Sequence, residues 1–112
     1  MYHAHLYFDH ESPAQLKLAE QVISQIKDHF DLPVGRIYNR PIGPHPIGSC
    51  QVIFHEKDYQ VFTEWLSENR QGLDILIHPV TGDELKDHTE NVTWIGGSHS
   101  LILSIFAKVS GH

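Results

Sequence analysis

Five histidines, His3, His5, His45, His78 and His88, lie in segments whose spacing can bring them to one side of a sheet. Neutral imidazole binds divalent metals at about 2.0–2.1 Å, so two or three such rings projecting from neighbouring strands can reach one ion. His3 and His5 bracket a single alanine. On an extended chain that spacing puts both rings on the same face, about 7 Å apart. His45 sits in Pro44-His45-Pro46, where the prolines hold the side chain in a fixed direction at low entropic cost. His78 ends a predicted strand that neighbours the first one. His88 lies in Asp87-His88-Thr89, within a long connection that also carries Asp83, Glu84 and Glu90. One of the carboxylates Asp83, Asp87 or Glu90 can complete a two-histidine, one-carboxylate site, the iron(II) geometry that leaves positions open for substrate and oxygen. For any one of these histidines the plainer reading is a polar or hydrogen-bonded surface residue. Their convergence argues for a site.

The chain holds ten histidines in all, and the others lack that support. His10, His29, His55 and His112 read as solvated, His29 near a helix end where positive charge suits the dipole. His99, just before the last predicted strand, stays open. Other chemistries fit less well. Ser49-Cys50 has no nucleophile-elbow pattern, and Cys50 has the parity of the apolar strand face, which reads as core. Gly96-Gly97 is too short a signal for phosphate binding. Arg40 either pairs with a substrate carboxylate or is a surface arginine. Tyr7 shares the face of His3 and His5 and either donates a hydrogen bond to substrate or is structural. Trp65 belongs to a helix stripe, and Trp94 lines a pocket or pins its loop.

The elements that must position these residues follow from periodicity. Tyr2 to Phe8 alternates His3, His5 and Tyr7 against Ala4, Leu6 and Phe8, a strand with one polar and one apolar face. Ser12-Pro13-Ala14-Gln15 is a capping box with proline at the first helical position. The helix behind it carries Leu16, Ala19, Val22, Ile23, Ile26 and Phe30 on one stripe and stops near Asp31, ahead of Pro33. Val34 to Arg40 reads as a second strand. Pro41 to Gly48 holds three prolines and two glycines and reads as a loop. Ser49 to His55 is a third strand. Lys57 to Arg70 is a second helix carrying Val61, Phe62, Trp65 and Leu66. Asp74 to His78 is a fourth strand, Val80 to His99 a long irregular connection of the kind that forms lids and binding loops, and Leu101 to Val109 a final strand.

That order, β-α-β-β-α-β with an extra C-terminal strand, is the ferredoxin-like α+β arrangement: an antiparallel sheet with two helices on one face. Strands one and four are neighbours in it. The apolar face of strand one meets the helices, and His3, His5 and Tyr7 face away. An open sheet face on so small a domain is closed by loops, a ligand or a second subunit, so a homodimer is expected.

At 112 residues the chain reads as one domain, 1–112, large enough to fold without disulfides or structural metal. A net charge of −6 argues against nucleic acid or an anionic membrane as partner. The single cysteine fits a reducing cytoplasm and excludes a cysteine-based metal site within one chain. No charged start precedes a long apolar run, so no signal peptide or membrane span is expected.

Five blocks in order carry a family resemblance: His3-Ala4-His5-Leu6-Tyr7-Phe8; Gly43-Pro44-His45-Pro46; Ile77-His78-Pro79-Val80-Thr81-Gly82-Asp83; Asp87-His88-Thr89; and Trp94-Ile95-Gly96. They span His3 to about Phe106, and the chain resembles the small DOPA 4,5-dioxygenase family. The resemblance implies a ferredoxin-like fold and extradiol cleavage of a catechol by dioxygen, giving a ring-opened semialdehyde acid. It implies a non-haem metal held by histidines, iron(II) by preference, with zinc as an occupant of purified samples. With the resemblance in hand, His5, His45 and His78 are the expected ligands, with His3 and His88 as supporting or acid/base groups and Tyr7 as a donor to substrate. Two other classes stay open: a non-catalytic metal- or ligand-binding dimer on the same scaffold, and a cofactor-free monooxygenase of the dimeric α/β-barrel type, which needs no histidine cluster.

Overall fold

The computed structural model describes residues 1–106. Strand β1 (Tyr2–Phe8) leads into helix α1 (Pro13–His29), then strands β2 (Val34–Tyr38) and β3 (Gly48–Phe54). A short 3-10 turn (Glu56–Asp58) opens helix α2 (Tyr59–Asn69), followed by β4 (Ile75–Pro79), the short helix α3 (Glu84–Asp87) and β5 (Thr93–Ile95). The strands lie in the order β2-β3-β1-β4-β5, every neighbouring pair antiparallel. The first four strands follow the expected split β-α-β pattern, with β1 between β3 and β4.

The period-two pattern of β1 decides which face is which. Ala4, Leu6 and Phe8 are buried with Cys50, Val52 and Phe54 of β3 and Ile75 and Ile77 of β4. Ala19, Val22, Ile23 and Ile26 of α1 and Phe62 and Leu66 of α2 close the same core. Full burial of each large aliphatic or aromatic side chain contributes about 1.5–3 kcal/mol, so this single apolar layer is what holds both helices to the sheet. The Ser12 hydroxyl accepts the Gln15 amide at 3.2 Å, as the capping box requires, while the Gln15 side chain reaches back to the Asp9 N–H at 2.8 Å instead of to the cap itself. Helix α1 ends at His29, where Phe30 turns extended and packs on Phe62 and Trp65. Val61, expected on the buried stripe of α2, is 64% exposed and faces solvent.

Two strands depart from expectation. The final strand expected over Leu101 to Val109 is absent from the described part: 101–103 are not strand, and a helical turn occupies 104–106. Ala107 to Val109, like His112, lie outside the described residues. The fifth strand is Thr93–Ile95, inside the connection expected to be irregular. Its β-branched and aromatic residues pair with the otherwise free edge of β4, a partner that the 101–106 run does not reach. The second difference is β2, which stops at Tyr38 and leaves Arg40 exposed outside it.

The face bearing His3, His5 and Tyr7 is roofed by the chain's own loops. The Ile102 N–H donates to the Pro44 carbonyl at 2.9 Å, tying the C-terminal segment to the Pro/Gly loop. Beneath these loops His5 and Tyr7 are 4% and 1% exposed. Among the described residues no helix is long and apolar enough to cross a membrane.

The packing is close at the start of β3. A Cβ on Gly48 would stand 2.6 Å from two ring carbons of the buried Phe8. Gly48→Ala is therefore expected to lower the free energy of unfolding by about 1–3 kcal/mol through overpacking, read as a shifted urea midpoint at unchanged slope.

Candidate metal centre

Register brings the histidines together. His3 of β1 stands directly opposite His78 of β4, and His5 lies two residues along on the same face. The His5 and His78 Nε2 atoms are 3.1 Å apart. One ligating nitrogen from each of His3, His5 and His78 lies within 4.8 Å of the other two. His45 and His88 flank this group, His45 with its ring centroid 4.2 Å from His5 and His88 4.2 Å from His78. All five expected histidines thus line one cavity of about 630 Å³.

The tightest grouping of nitrogens differs from the expected ligand trio in one member. Of His5, His45 and His78, two share the compact donor group, and the third member is His3. The Nδ1 of His45 is taken up by the Tyr7 hydroxyl at 2.7 Å. Tyr7 is 1% exposed and does not line that cavity; its hydroxyl reaches His45 instead. The carboxylates considered for the site are engaged elsewhere. Asp87 accepts from the Thr81 N–H and hydroxyl and from Asn91. Asp83 caps α3 through the Lys86 N–H, and Glu90 sits beside Lys86 at the surface. Among the described residues the compact donor group is all-histidine.

Tautomers follow from the carbonyls. The His78 Nδ1–H donates to the Pro79 carbonyl and the His88 Nδ1–H to the Glu84 carbonyl, each at 2.7 Å. A carbonyl can only accept, so in the neutral rings both Nε2 atoms carry the lone pair. This second hydrogen bond is what fixes a ligating histidine's orientation in metal sites. Two imidazole nitrogens bound to one ion at about 2.1 Å stand about 3.0–3.4 Å apart between right-angled and tetrahedral arrangements, and the His5–His78 spacing falls in that range. The donor set fits a divalent transition metal.

Electrostatics agree. Burial pushes the His5 imidazolium well below its ordinary range, and the neighbouring His45, His78, His3 and His88 add to it. Burial, then His88, His78 and His3, bring His45 down to about 4. His78 also falls to about 4 through burial and its histidine neighbours, against a raising contribution from the Pro79 carbonyl. Burial and His88 lower His3 as well. The cluster is held as free bases, the form that binds metal.

Sequence reasoning missed the support around the cluster. His99, left open, donates through Nε2 to Asp74 at 2.8 Å, and the same carboxylate accepts the Gly97 N–H at 2.7 Å. A Cβ on Gly96, at φ +91°, would stand 2.5 Å from Asp74 and Arg70 atoms, so only glycine allows this approach. Burial raises the Asp74 carboxyl, but the Gly97 and His99 hydrogen bonds and Arg70 outweigh it and leave it below its ordinary value. The clamp holds His99 and Trp94 against Tyr7. Phe106, expected in a strand, stacks on His88 with ring centroids 4.8 Å apart. Gln51, opposite His5 on β3, also lines the cavity; its parity with the polar face was its only sequence signal.

Fold and site together define a small α+β protein with a polyhistidine cavity on the sheet face opposite α1 and α2. The chain belongs to the Dopa 4,5-dioxygenase family, whose model matches residues 2–105. It is 33% identical over 109 residues to the DOPA 4,5-dioxygenase of Amanita muscaria, a match covering 92% of this chain and 48% of that protein. It is 32% identical over 114 residues to an uncharacterized 21.2 kDa protein of Botryotinia fuckeliana, covering 94% of this chain and 62% of that one. The chain thus spans about half to three fifths of the curated relatives it matches. The crystal structure of a candidate dioxygenase from Nostoc punctiforme matches with a TM-score of 0.90 at 38% identity, covering 96% of this chain and 91% of that one.

The lowered histidines set a pH dependence. A group whose pKa falls on folding stabilises the native state above its unfolded value, near 6.5 here, and loses that contribution as pH drops through the folded value, about 4 for His45 and His78. Metal-free protein is expected to lose a few kcal/mol of stability between about pH 6.5 and pH 4, with proton uptake on unfolding. Urea melts across this range check it, and His45→Gln is expected to flatten the slope.

Proposed function

We propose that this protein is a non-haem, metal-dependent extradiol dioxygenase that opens a catechol ring with dioxygen. The observation that carries the reading is the trio His3, His5 and His78, free-base imidazoles with converging nitrogens at the wall of a cavity of about 630 Å³. That volume suits a substituted single ring. Membership of the Dopa 4,5-dioxygenase family supports a dioxygenase-type reaction.

His3, His5 and His78 are the residues that would hold the metal, iron(II) by preference. Iron(II) held there would supply the redox chemistry that couples an electron-rich ring to dioxygen. The chain's own groups do the rest. His88 keeps its Nδ1 proton on the Glu84 carbonyl and turns a basic Nε2 to the cavity side, where it takes a proton from a catechol hydroxyl. His45, held by the Tyr7 hydroxyl beside His5, is the second proton-handling group. Burial raises the Tyr7 phenol, so it stays protonated and serves to orient His45. Leu85, Val80 and Phe106 line the cavity with apolar surface and limit water around the ring.

Protein loaded with iron(II) under anaerobic conditions should consume oxygen when given a catechol and form a yellow semialdehyde. Binding of iron and catechol without oxygen uptake would instead leave a non-catalytic binding protein. His78→Ala is expected to weaken iron binding by roughly 100-fold or more, since loss of supporting groups alone costs about 10–100-fold. Full retention of iron affinity removes His78 from the ligand set. His88→Gln is expected to lower kcat by about 10²–10⁴ while iron affinity, measured by calorimetry, changes only a few-fold.

A further inference from the structure

A second cavity of about 300 Å³ lies on the β2 side of the histidine wall. It shares His5, Pro44, His45 and Gln51 with the first, so the two spaces meet across the same residues. Their charge differs. The first cavity is bordered by Asp83, Glu84 and Asp87, whereas Arg36 is the one charged residue lining the second apart from the histidines.

Arg36 reaches this cavity because β2 carries a bulge. Val34 pairs with Val52 and Ile37 with Cys50, so Gly35 and Arg36 together stand opposite Gln51 alone. Regular alternation would give Arg36 the parity of Val34, on the helix side of the sheet. The extra residue breaks that parity, as bulges do where a side chain must be re-aimed. The guanidinium carbon lies 5.4 Å from the centre of the Tyr38 ring, and no carboxylate pairs with it among the described residues. Ser49, 3% exposed, lines the same cavity and its hydroxyl makes no hydrogen bond within the described residues. Gln51 supplies an amide there as well. A guanidinium fork beside a hydroxyl and an amide, with no acid among the lining residues, is a receptor for a planar anion.

We infer that the second cavity binds a carboxylate on the substrate's side arm, with Arg36 as its counter-charge and Ser49 and Gln51 as supporting donors. The ring's position beside the histidines rests on the ring-opening reading; the carboxylate subsite is testable without it.

The test compares 3-(3,4-dihydroxyphenyl)propionate with 4-ethylcatechol, which lacks the carboxylate, by anaerobic calorimetry on iron-loaded protein. Wild type should prefer the carboxylated ligand, and Arg36→Ala should cut that preference about tenfold to a hundredfold. Arg36→Lys should restore part of it, because charge returns without the fork. Arg36 is exposed on an edge strand, and thermal melts confirm that both variants fold. Absence of a carboxylate preference in wild type, or an unchanged preference in Arg36→Ala, overturns the subsite. In metal-free protein 3-phenylpropionate serves as probe: Arg36-dependent binding together with failure to oxidise any catechol supports the subsite and sinks the ring-opening reading. Oxidation of both catechols with equal affinity does the reverse.

Discussion

The register of β1 against β4 is the constraint on which the site depends. Because strand side chains alternate with a period of two, a slip of one residue would send His3, His5 and Tyr7 into the helix layer and Ala4, Leu6 and Phe8 to the cavity. The apolar core forbids that slip. Burial of Leu6 and Phe8 against α1 and α2 therefore sets where the imidazoles stand, and the opposition of His3 and His78 follows from hydrophobic packing on the other side of the sheet. The β3 pairing works in the same way, placing Ser49 and Gln51 beside Tyr7 and His5.

Crowding several imidazoles into one buried space is tolerable only while they are neutral. A proton on His5, His45 or His78 is disfavoured by burial and by the neighbouring imidazoles, and the Asp87 carboxylate offsets only part of this at His78. Neutral rings in turn need partners for their N–H groups, and the Pro79 and Glu84 carbonyls provide two of them. The bond to the Pro79 carbonyl that satisfies the His78 Nδ1–H also leaves the His78 Nε2 lone pair facing His5. Stability without the metal and readiness for it have one origin.

Much of this was legible in the sequence because it was local. The alternation of β1, the capping box at Ser12 and the order of elements are short-range signals, and they led to the order of the first four strands. The histidines could be gathered to one side from parity and topology alone. Which of them meet could not, because that depends on the cross-strand register and on the course of two irregular loops. The rigid Pro-His-Pro setting marked His45, but its Nδ1 bond to Tyr7 is a long-range contact no spacing encodes. Thr93–Ile95 escaped notice because three residues are too few for a periodic signal, and the apolar run from Leu101 lacks the alternation that separates strand from helix. The β2 bulge was invisible for a similar reason: the pattern gives a strand's faces but not the position where the count skips.

The bond between the Ile102 N–H and the Pro44 carbonyl joins two roof segments that lie more than fifty positions apart in the chain. Neither segment can lift without releasing the other or carrying it along. The Pro44 loop anchored by that bond borders both cavities, which share His5, Pro44, His45 and Gln51, so a change in its course reshapes both at once.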